Sequence, residues 1–350
     1  MKAARMHGIK DFRIDEVERP TPKGREILIK VEACGICGSD LPRIYELGTS
    51  KHRYPLILGH EFGGRIVEVG EEADKNLIGQ RGAIFPCIPC MKCESCQTGN
   101  YAMCLDYDYL GSRSDGGFAE YCLVPSDWHF IPAKDSVSSQ ALAMIEPCTV
   151  AQHALRKSHF AAGYSCLIFG AGPIGIMAAR WAEIFGSSKV VLIDINEEKI
   201  SFAKERGVVC LNAMDADFQL KLLEANNNKK FDVVIEGTGT GVALSQSIEA
   251  VRTFGTVLMM GNPHKDTTIK LASHSNILRK EVTLQGMWNS HYHDSPINEW
   301  HYSMQAIAEG KMIVDDLVTH KSELDNLDEL IDDIYTGKLT ICKAMFSKVE

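Results

Sequence analysis

Two different hydrophobic patterns divide the chain. Over roughly the first third, apolar residues come in short runs closed by glycine or proline. Residues 26–31 alternate in this way after Pro20, Pro22 and Gly24, and residues 62–69 and 81–85 repeat the pattern. At 116–124 a glycine pair turns into another such run. Many short strands at this spacing predict a barrel-like, mostly β domain. Ser138 or Ser139 then caps a predicted helix running towards Ile145. Glu146-Pro147 interrupts it, and a second helical stretch continues through Val150 and His153. From Ser165 the apolar runs become continuous, as in strands buried on both faces: 166–169, 189–193, 231–235, 255–260 and 282–284. Helical segments separate them, and that alternation predicts a doubly wound parallel sheet. The sheet is expected to end near 286–289. Helix returns from about 296, followed by a last β-like stretch at 339–346. The expected class is therefore α/β plus a β-rich domain. A β-rich catalytic domain at 1–154 resumes at 296–350, with a cofactor domain inserted at 155–295.

A chain of 350 residues exceeds what one hydrophobic core usually supports, which agrees with two domains. The formal net charge is -9, with no long basic run, so neither nucleic acid nor an anionic membrane is expected as a partner. The first residues lack the apolar run of a signal peptide, and no stretch approaches the ~20 apolar residues of a spanning helix. These features predict a cytoplasmic location. In that reducing compartment the twelve cysteines favour metal binding over disulfides.

The cysteines fall into informative places. The stretch 34–64 reads C-G-I-C-G-S-D-L-P-R-I…L-I-L-G-H-E-F-G-G and offers a thiolate at Cys37, an imidazole at His60 and a carboxylate at Glu61. Zinc accepts all three ligand types. A buried cysteine and a hydrogen-bonded histidine in an ordinary sheet would look the same at this stage. Glu146, held beside Pro147, is a possible third ligand, although such a glutamate is more often solvated or capping. Cys90, Cys93, Cys96 and Cys104 form C-x2-C-x2-C-x7-C. Four thiolates on one loop can close a tetrahedron around zinc, the mark of a structural site. An iron–sulfur cluster is the rival occupant. Cys87 is spare and reads as a buried small side chain.

Gly170-Ala-Gly172-Pro173-Ile174-Gly175 follows the first continuous apolar run and opens a helix. Asp194 ends the next run, close to the ~20-residue separation of a dinucleotide-binding unit. In that context Gly170 permits the turn, Gly172 admits the pyrophosphate and Gly175 lets helix pack on strand. The helix N-terminus faces the phosphates. Asp194 would accept hydrogen bonds from the adenosine ribose and repel a 2′-phosphate, which predicts NAD over NADP; capping the following helix is its other possible role.

Taken together, C-G-x-C-G-S-D, G-H-E, the four-cysteine loop, Glu146-Pro147 and G-A-G-P-I-G resemble the zinc-dependent medium-chain alcohol and polyol dehydrogenases over essentially the whole chain. The resemblance implies a GroES-like catalytic domain, an inserted Rossmann domain, and a homodimer or homotetramer. It implies two zinc ions per chain and NAD. Cys37, His60 and Glu146 would hold the catalytic zinc with Glu61 nearby, and the four-cysteine loop the structural one. Ser39 would take the substrate proton. Many alcohol dehydrogenases place a relay histidine three residues later, where this chain has Pro42. Gly170, Gly172, Pro173, Ile174, Gly175, Asp194 and Lys199 would line the cofactor site. The stretches at 37–44, 111–121 and 278–283 look like family members acting on sugar-alcohol phosphates. Their phosphate would be met by Arg43 or Arg113, with Lys51, His52 and Arg53 nearby in sequence. A dehydrogenase of an unphosphorylated polyol or diol is the alternative within the family, and a non-catalytic NAD-binding sensor the alternative outside it.

Overall fold

A computed structural model of the chain describes residues 1–50 and 53–347. Two compact units emerge, Met1–Thr149 with His291–Glu350, and Val150–Ser290. The first division falls inside the helix Ile145–Lys157 and the second just after the strand Thr283–Gly286, a few residues before each expected boundary.

Among the described residues, the first unit is built on a seven-stranded sheet centred on Ile27–Gly35. That strand pairs antiparallel with Glu61–Val69, Tyr121–Val124 and Lys343–Ser347. Arg81–Ile84 and Phe130–Pro132 extend the sheet on one side, and Val318–Ser322 extends it on the other. Ile27, Ile29, Val31, Phe62, Ile66, Val124 and Phe346 send their side chains into one core. A smaller sheet, with Lys2–Gly8 between Asp11–Glu16 and Leu56–Ile57, adds Ala4 and Met6 to it. The register sets Gly35 opposite Glu61 on one flank and opposite Met345 on the other. A strand late in the chain therefore lies beside the segment that begins at Cys34.

Two helices form where a pair was expected, but the break falls at Met144, and Glu146-Pro147 lies within the second helix rather than between the two. Ser138 caps the helix Ser139–Ala143, its hydroxyl accepting the amide of Ala141 at 3.0 Å. The next helix, Ile145–Lys157, carries Pro147 in its first turn, where a missing N–H leaves no helical bond unmade.

The second unit holds a six-stranded, all-parallel sheet among its described residues. Its spatial order is Cys210–Asn212, Lys189–Asp194, Ser165–Phe169, Phe231–Glu236, Val251–Met259 and Thr283–Gly286. Numbered along the chain this is 3-2-1-4-5-6, the Rossmann order. The order reverses beside Ser165–Phe169, so the crevice at that strand's carboxyl end is the place for a ligand. Every residue of Ser165–Phe169 is buried, which accounts for its unbroken apolar run. Cys210–Asn212 escapes the hydrophobic pattern because it is three residues long and half-buried.

Candidate active site and metal centres

The segment after Gly35 folds back on itself. The amide of Cys37 donates to Asp40 Oδ2 at 3.0 Å, and the amide of Asp40 donates to the Cys37 carbonyl at 3.0 Å. This pair of hydrogen bonds closes the C-G-S-D turn and fixes the Cys37 backbone. His60 and Glu61 stand at the start of the neighbouring strand. The ligand atoms of Cys37, His60 and Glu61 all lie within 4.8 Å of one another. Glu146, from the first turn of its helix, lies beside them but outside that trio. Its Oε1 accepts the Tyr109 hydroxyl at 3.2 Å, and its charge acts on His60 and Glu61. The sequence reading put Glu146 third and Glu61 nearby. In the structure Glu61 is the carboxylate gathered with the thiol and imidazole.

In this cluster His60, Glu61 and Glu146 are buried and Cys37 is partly exposed. Burial opposes a charge on His60, yet the Cys37 thiolate and the Asp40 carboxylate lift its pKa to about 10. Burial, reinforced by Glu61 and opposed by His60, raises Glu146 to about 7. Among the described residues His60 Nδ1 is buried without a hydrogen-bond partner, and the Asp40 carboxylate is 3.7 Å away. Such a pocket calls for a cation, and its thiolate, imidazole and carboxylates are donors that suit zinc.

Three neighbours were invisible to sequence reasoning. Asp40 is fully buried and ties Cys37, Arg43 and the His60 environment together. Tyr109 orients Glu146 and meets the His60 ring edge-on, with centroids 5.9 Å apart. Lys343 pairs with Glu61 Oε2, both side chains being buried. The one signal for Lys343 was a lone lysine in the final β-like stretch.

The remaining predicted residues are placed as follows. Ser39 is exposed at the head of the short helix Asp40–Pro42, its hydroxyl making no capping bond. Arg43 donates from Nη1 to Asp40 Oδ1 at 2.8 Å. Arg113 donates from Nη1 to the Tyr107 carbonyl at 2.8 Å and stacks 3.8 Å from the centre of the Tyr107 ring. Arg53 Nη1 donates to the Arg113 carbonyl, whereas Lys51 and His52 lie outside the described residues.

Cys90, Cys93, Cys96 and Cys104 converge, with all four sulfurs within 4.8 Å of one another. The Cys90 amide donates to Cys104 Sγ at 3.2 Å, and Cys93 and Cys96 are 3.5 Å apart, sulfur to sulfur. Backbone N–H groups, that of Leu105 first, lower the Cys93 pKa to about 6, while burial raises Cys96 to about 12. The four have no pairing into disulfides and form a closed all-sulfur set. Cys87 stays apart from the four, buried and facing the Tyr101 carbonyl.

In the second unit each glycine of the fingerprint meets a separate demand. Gly170 adopts φ +105°, outside the range of ordinary side chains. A Cβ on Gly175 would overlap the Gly170 carbonyl oxygen. A Cβ on Gly172 would meet nothing within 4 Å, so that position borders open space, as a phosphate cradle requires. Gly172 leads into the helix Pro173–Ile184, with Pro173 and Ile174 in its first turn. Asp194 Oδ2 accepts the Ala171 amide at 2.8 Å, tethering the glycine turn to the second strand. Its Oδ1 accepts the amides of Ile195 and Asn196. The cap of the following helix is Asn196, whose side chain accepts the Lys199 amide at 3.0 Å. Asp194 is thus relieved of the capping role.

A β-rich unit with a thiolate–imidazole–carboxylate cluster, joined in one chain to a Rossmann sheet, defines a metal-dependent nicotinamide oxidoreductase. The chain belongs to the zinc-binding alcohol dehydrogenases, matching the alcohol dehydrogenase GroES-like domain at residues 23–135 and the zinc-binding dehydrogenase family at 173–309. It is an enzyme of that family's polyol dehydrogenase group, with zinc and a nicotinamide dinucleotide as cofactors. It is 34% identical over 313 residues to galactitol 1-phosphate 5-dehydrogenase of Escherichia coli (strain K12), covering 88% of this chain and 89% of the relative. It is 32% identical to sorbitol dehydrogenase of Bacillus subtilis (strain 168), over 76% of each chain. The crystal structure of galactitol-1-phosphate dehydrogenase from Escherichia coli superposes with a TM-score of 0.90 at 31% identity, covering 99% of this chain and 100% of that one.

Proposed function

We propose that the enzyme oxidises the secondary alcohol of a sugar-alcohol phosphate to the ketose phosphate with NAD, the reaction being galactitol 1-phosphate to tagatose 6-phosphate. The observation that carries the chemistry is the convergence of Cys37, His60 and Glu61, with Glu146 beside them and the Ser39 hydroxyl on the same turn as Cys37. Cys37, His60 and Glu146, with Glu61 beside them, would hold the catalytic metal, and Cys90, Cys93, Cys96 and Cys104 would hold the structural one. Bound there, zinc supplies a Lewis acid for the substrate hydroxyl and the nicotinamide accepts hydride. Ser39 accepts the hydroxyl proton. Pro42 has no proton to pass, so the route beyond Ser39 runs through water or the nicotinamide ribose. Tyr109 donates to Glu146 and holds its carboxylate in place.

Gly170, Gly172, Pro173, Ile174 and Gly175 receive the pyrophosphate, with Lys199 and Asp194 at the adenosine end. The Asp194 carboxylate would repel a 2′-phosphate by about 1–4 kcal/mol, which favours NAD. Arg43 and Arg113 are assigned to the substrate phosphate, because each guanidinium keeps further donors beyond its Nη1 bond. The same protein bonds favour a second reading, an unphosphorylated polyol or diol as substrate. We place the enzyme in a reducing cytoplasm, supported by twelve cysteines without a disulfide. Among the described residues no helix is long and apolar enough to cross a membrane. Self-association as a dimer or tetramer is supported by the largely exposed edge strand Thr283–Gly286.

The test is NADH formation with galactitol 1-phosphate, galactitol, sorbitol and 2,3-butanediol side by side, repeated with NADP. Preference for the phosphorylated substrate with NAD is expected. Indifference to the phosphate moves the assignment to the free polyols, and equal efficiency with both dinucleotides removes the role given to Asp194.

A further inference from the structure

The strand Phe231–Glu236 ends on a buried carboxylate that takes no part in the proposed chemistry: Glu236 is 3% exposed. In the sheet it stands beside Phe169, the residue before the glycine turn. The chain then reads G-T-G-T-G at 237–241 and enters the helix Gly241–Ala250. Glu236 folds back onto this loop. Its Oε1 accepts the amides of Thr238 at 2.7 Å and Gly239 at 3.0 Å, and the Thr238 hydroxyl as well. Its Oε2 accepts the Gly239 amide at 3.1 Å. Successive amides turned inward in this way form an anion nest, and here the chain's own carboxylate fills it. A buried carboxylate is expensive unless it is compensated, so its presence needs a reason.

The surroundings of Glu236 supply one. Its carbonyl accepts the amides of Met260 and Gly261, each at 2.9 Å, which ties in the loop after the next strand. The Gly237 amide donates to the Phe169 carbonyl at 3.1 Å. The loops meet without slack. A Cβ on Gly261 would overlap the Gly239 amide nitrogen, and Gly239, at φ +71°, would drive one into the Asn262 carbonyl oxygen. On the other side, a Cβ on Gly170 would stand 3.8 Å from both the Gly237 carbonyl oxygen and Thr238 Cγ2. Glu236 thus joins the loops at the carboxyl ends of three neighbouring strands, which border the crevice where the strand order reverses. A loop this rich in glycine has much freedom to lose, and ordering it on binding would cost affinity.

We propose that Glu236 is a positioning residue of the dinucleotide site: its carboxylate fills the nest of Thr238 and Gly239 and holds the loop 237–241 beside Gly170, so that this wall of the crevice is formed before the dinucleotide arrives. The inference rests on the reading of the Gly170–Gly175 turn as the dinucleotide's seat. Glutamine keeps the shape of Glu236 but removes its charge and turns an N–H₂ group towards amides that need an acceptor. The loop should then be loose in the free enzyme and ordered only at the expense of binding.

The experiment compares zinc-loaded wild type, Glu236→Gln, Thr238→Val and Gly172→Asp. Amide hydrogen exchange of the segment 237–241 is followed with and without NADH, and NADH binding is measured by calorimetry. In wild type the segment should be protected already in the free enzyme, with little change on adding NADH. In Glu236→Gln it should exchange about tenfold faster when free and recover with NADH. The same variant should bind NADH about tenfold more weakly, the loss of roughly one hydrogen bond to a charged group. Its KM for NAD should rise by more than its kcat falls, a split that a general loss of packing would not give. Thr238→Val removes one bond to the carboxylate and should lie between the two; it also carries the test if Glu236→Gln does not fold. Gly172→Asp sets a carboxylate in the open cradle of the turn. NADH held there as tightly as in wild type would overturn the reading of the seat itself, apart from the role of Glu236. A wild-type segment that exchanges freely until NADH is added, or wild-type NADH affinity in Glu236→Gln and Thr238→Val, would overturn the proposal.

Discussion

At the scale of single residues, the site tolerates little change because its groups share partners. Cys37→Ser removes the only thiolate of the open cluster. Turnover should fall by at least about a thousandfold, the several kcal/mol a Lewis acid contributes. Metal analysis should fall from two zinc ions per chain to one, with the fold unchanged by circular dichroism. Arg43→Ala has a mixed effect. Arg43 neutralises Asp40, which is fully buried and holds the Cys37 amide. Efficiency should therefore drop with free and phosphorylated polyols alike, by about 1.5–3 kcal/mol for a lost charge-assisted bond. An additional loss confined to the phosphorylated substrate would measure the phosphate contact, and equal losses would assign Arg43 to Asp40 alone. The sequence by itself suggested only the selective effect. Cys37, His60 and the four-cysteine loop could be read there because each motif is compact along the chain. Lys343 could not, since only strand pairing brings it to Glu61. Asp194 was left with two possible roles, and the capping one falls to Asn196, two positions on.

At the scale of elements, two local constructions hold the first unit together. The cysteine loop has little apolar material and depends on its four sulfurs. Cys93→Ser should lower the melting temperature and release the structural metal, since a structural zinc site is folding free energy. The other construction joins strand to strand and strand to helix. Arg81 grips Glu32 through Nε and Nη2, and also donates to the Val137 carbonyl and to Ser139. Burial works to raise the Glu32 pKa, but bonds from Arg81 and Ser139 outweigh it and hold the carboxyl below its usual range. A depressed carboxylate pKa stabilises the fold above the unfolded value, and that stability is lost as pH falls through the folded one. Glu32→Gln should cost about 3 kcal/mol at pH 7, as when one partner of a part-buried pair is removed. The difference from wild type in denaturant unfolding should shrink as pH falls below about 4. The central parallel strands Ser165–Phe169, Lys189–Asp194 and Phe231–Glu236 were legible because burial on both faces makes their runs largely apolar. Val318–Ser322 was not, because its residues are half-buried or exposed and it is held in place by pairing with Lys343–Ser347.

At the scale of the molecule, the two units have separate cores. Leu167, Val191, Val234 and Val257 anchor one, and Ile29, Phe62, Ile66 and Phe346 the other. Two unfolding transitions are expected in calorimetry. NAD at about a hundred times its Kd should stabilise the transition of Val150–Ser290 by about 2.7 kcal/mol. Removal of metal by a chelator should lower the other. A single transition shifted by both treatments would contradict the separation. The interleaving of the units along the chain also imposes an order on biosynthesis. The strand Lys343–Ser347 lies between Ile27–Gly35 and Val318–Ser322, yet it is translated after the whole of Val150–Ser290. While the ribosome is still making the dinucleotide sheet, the earlier segment already carries its thiolate, imidazole and carboxylates. It lacks the strand that joins Ile27–Gly35 to Val318–Ser322, and with it the Lys343 partner of Glu61. The cysteine loop, complete by residue 104, can take metal during that interval. The cluster of Cys37, His60 and Glu61 spends the same interval without the strand Lys343–Ser347 that pairs beside Gly35.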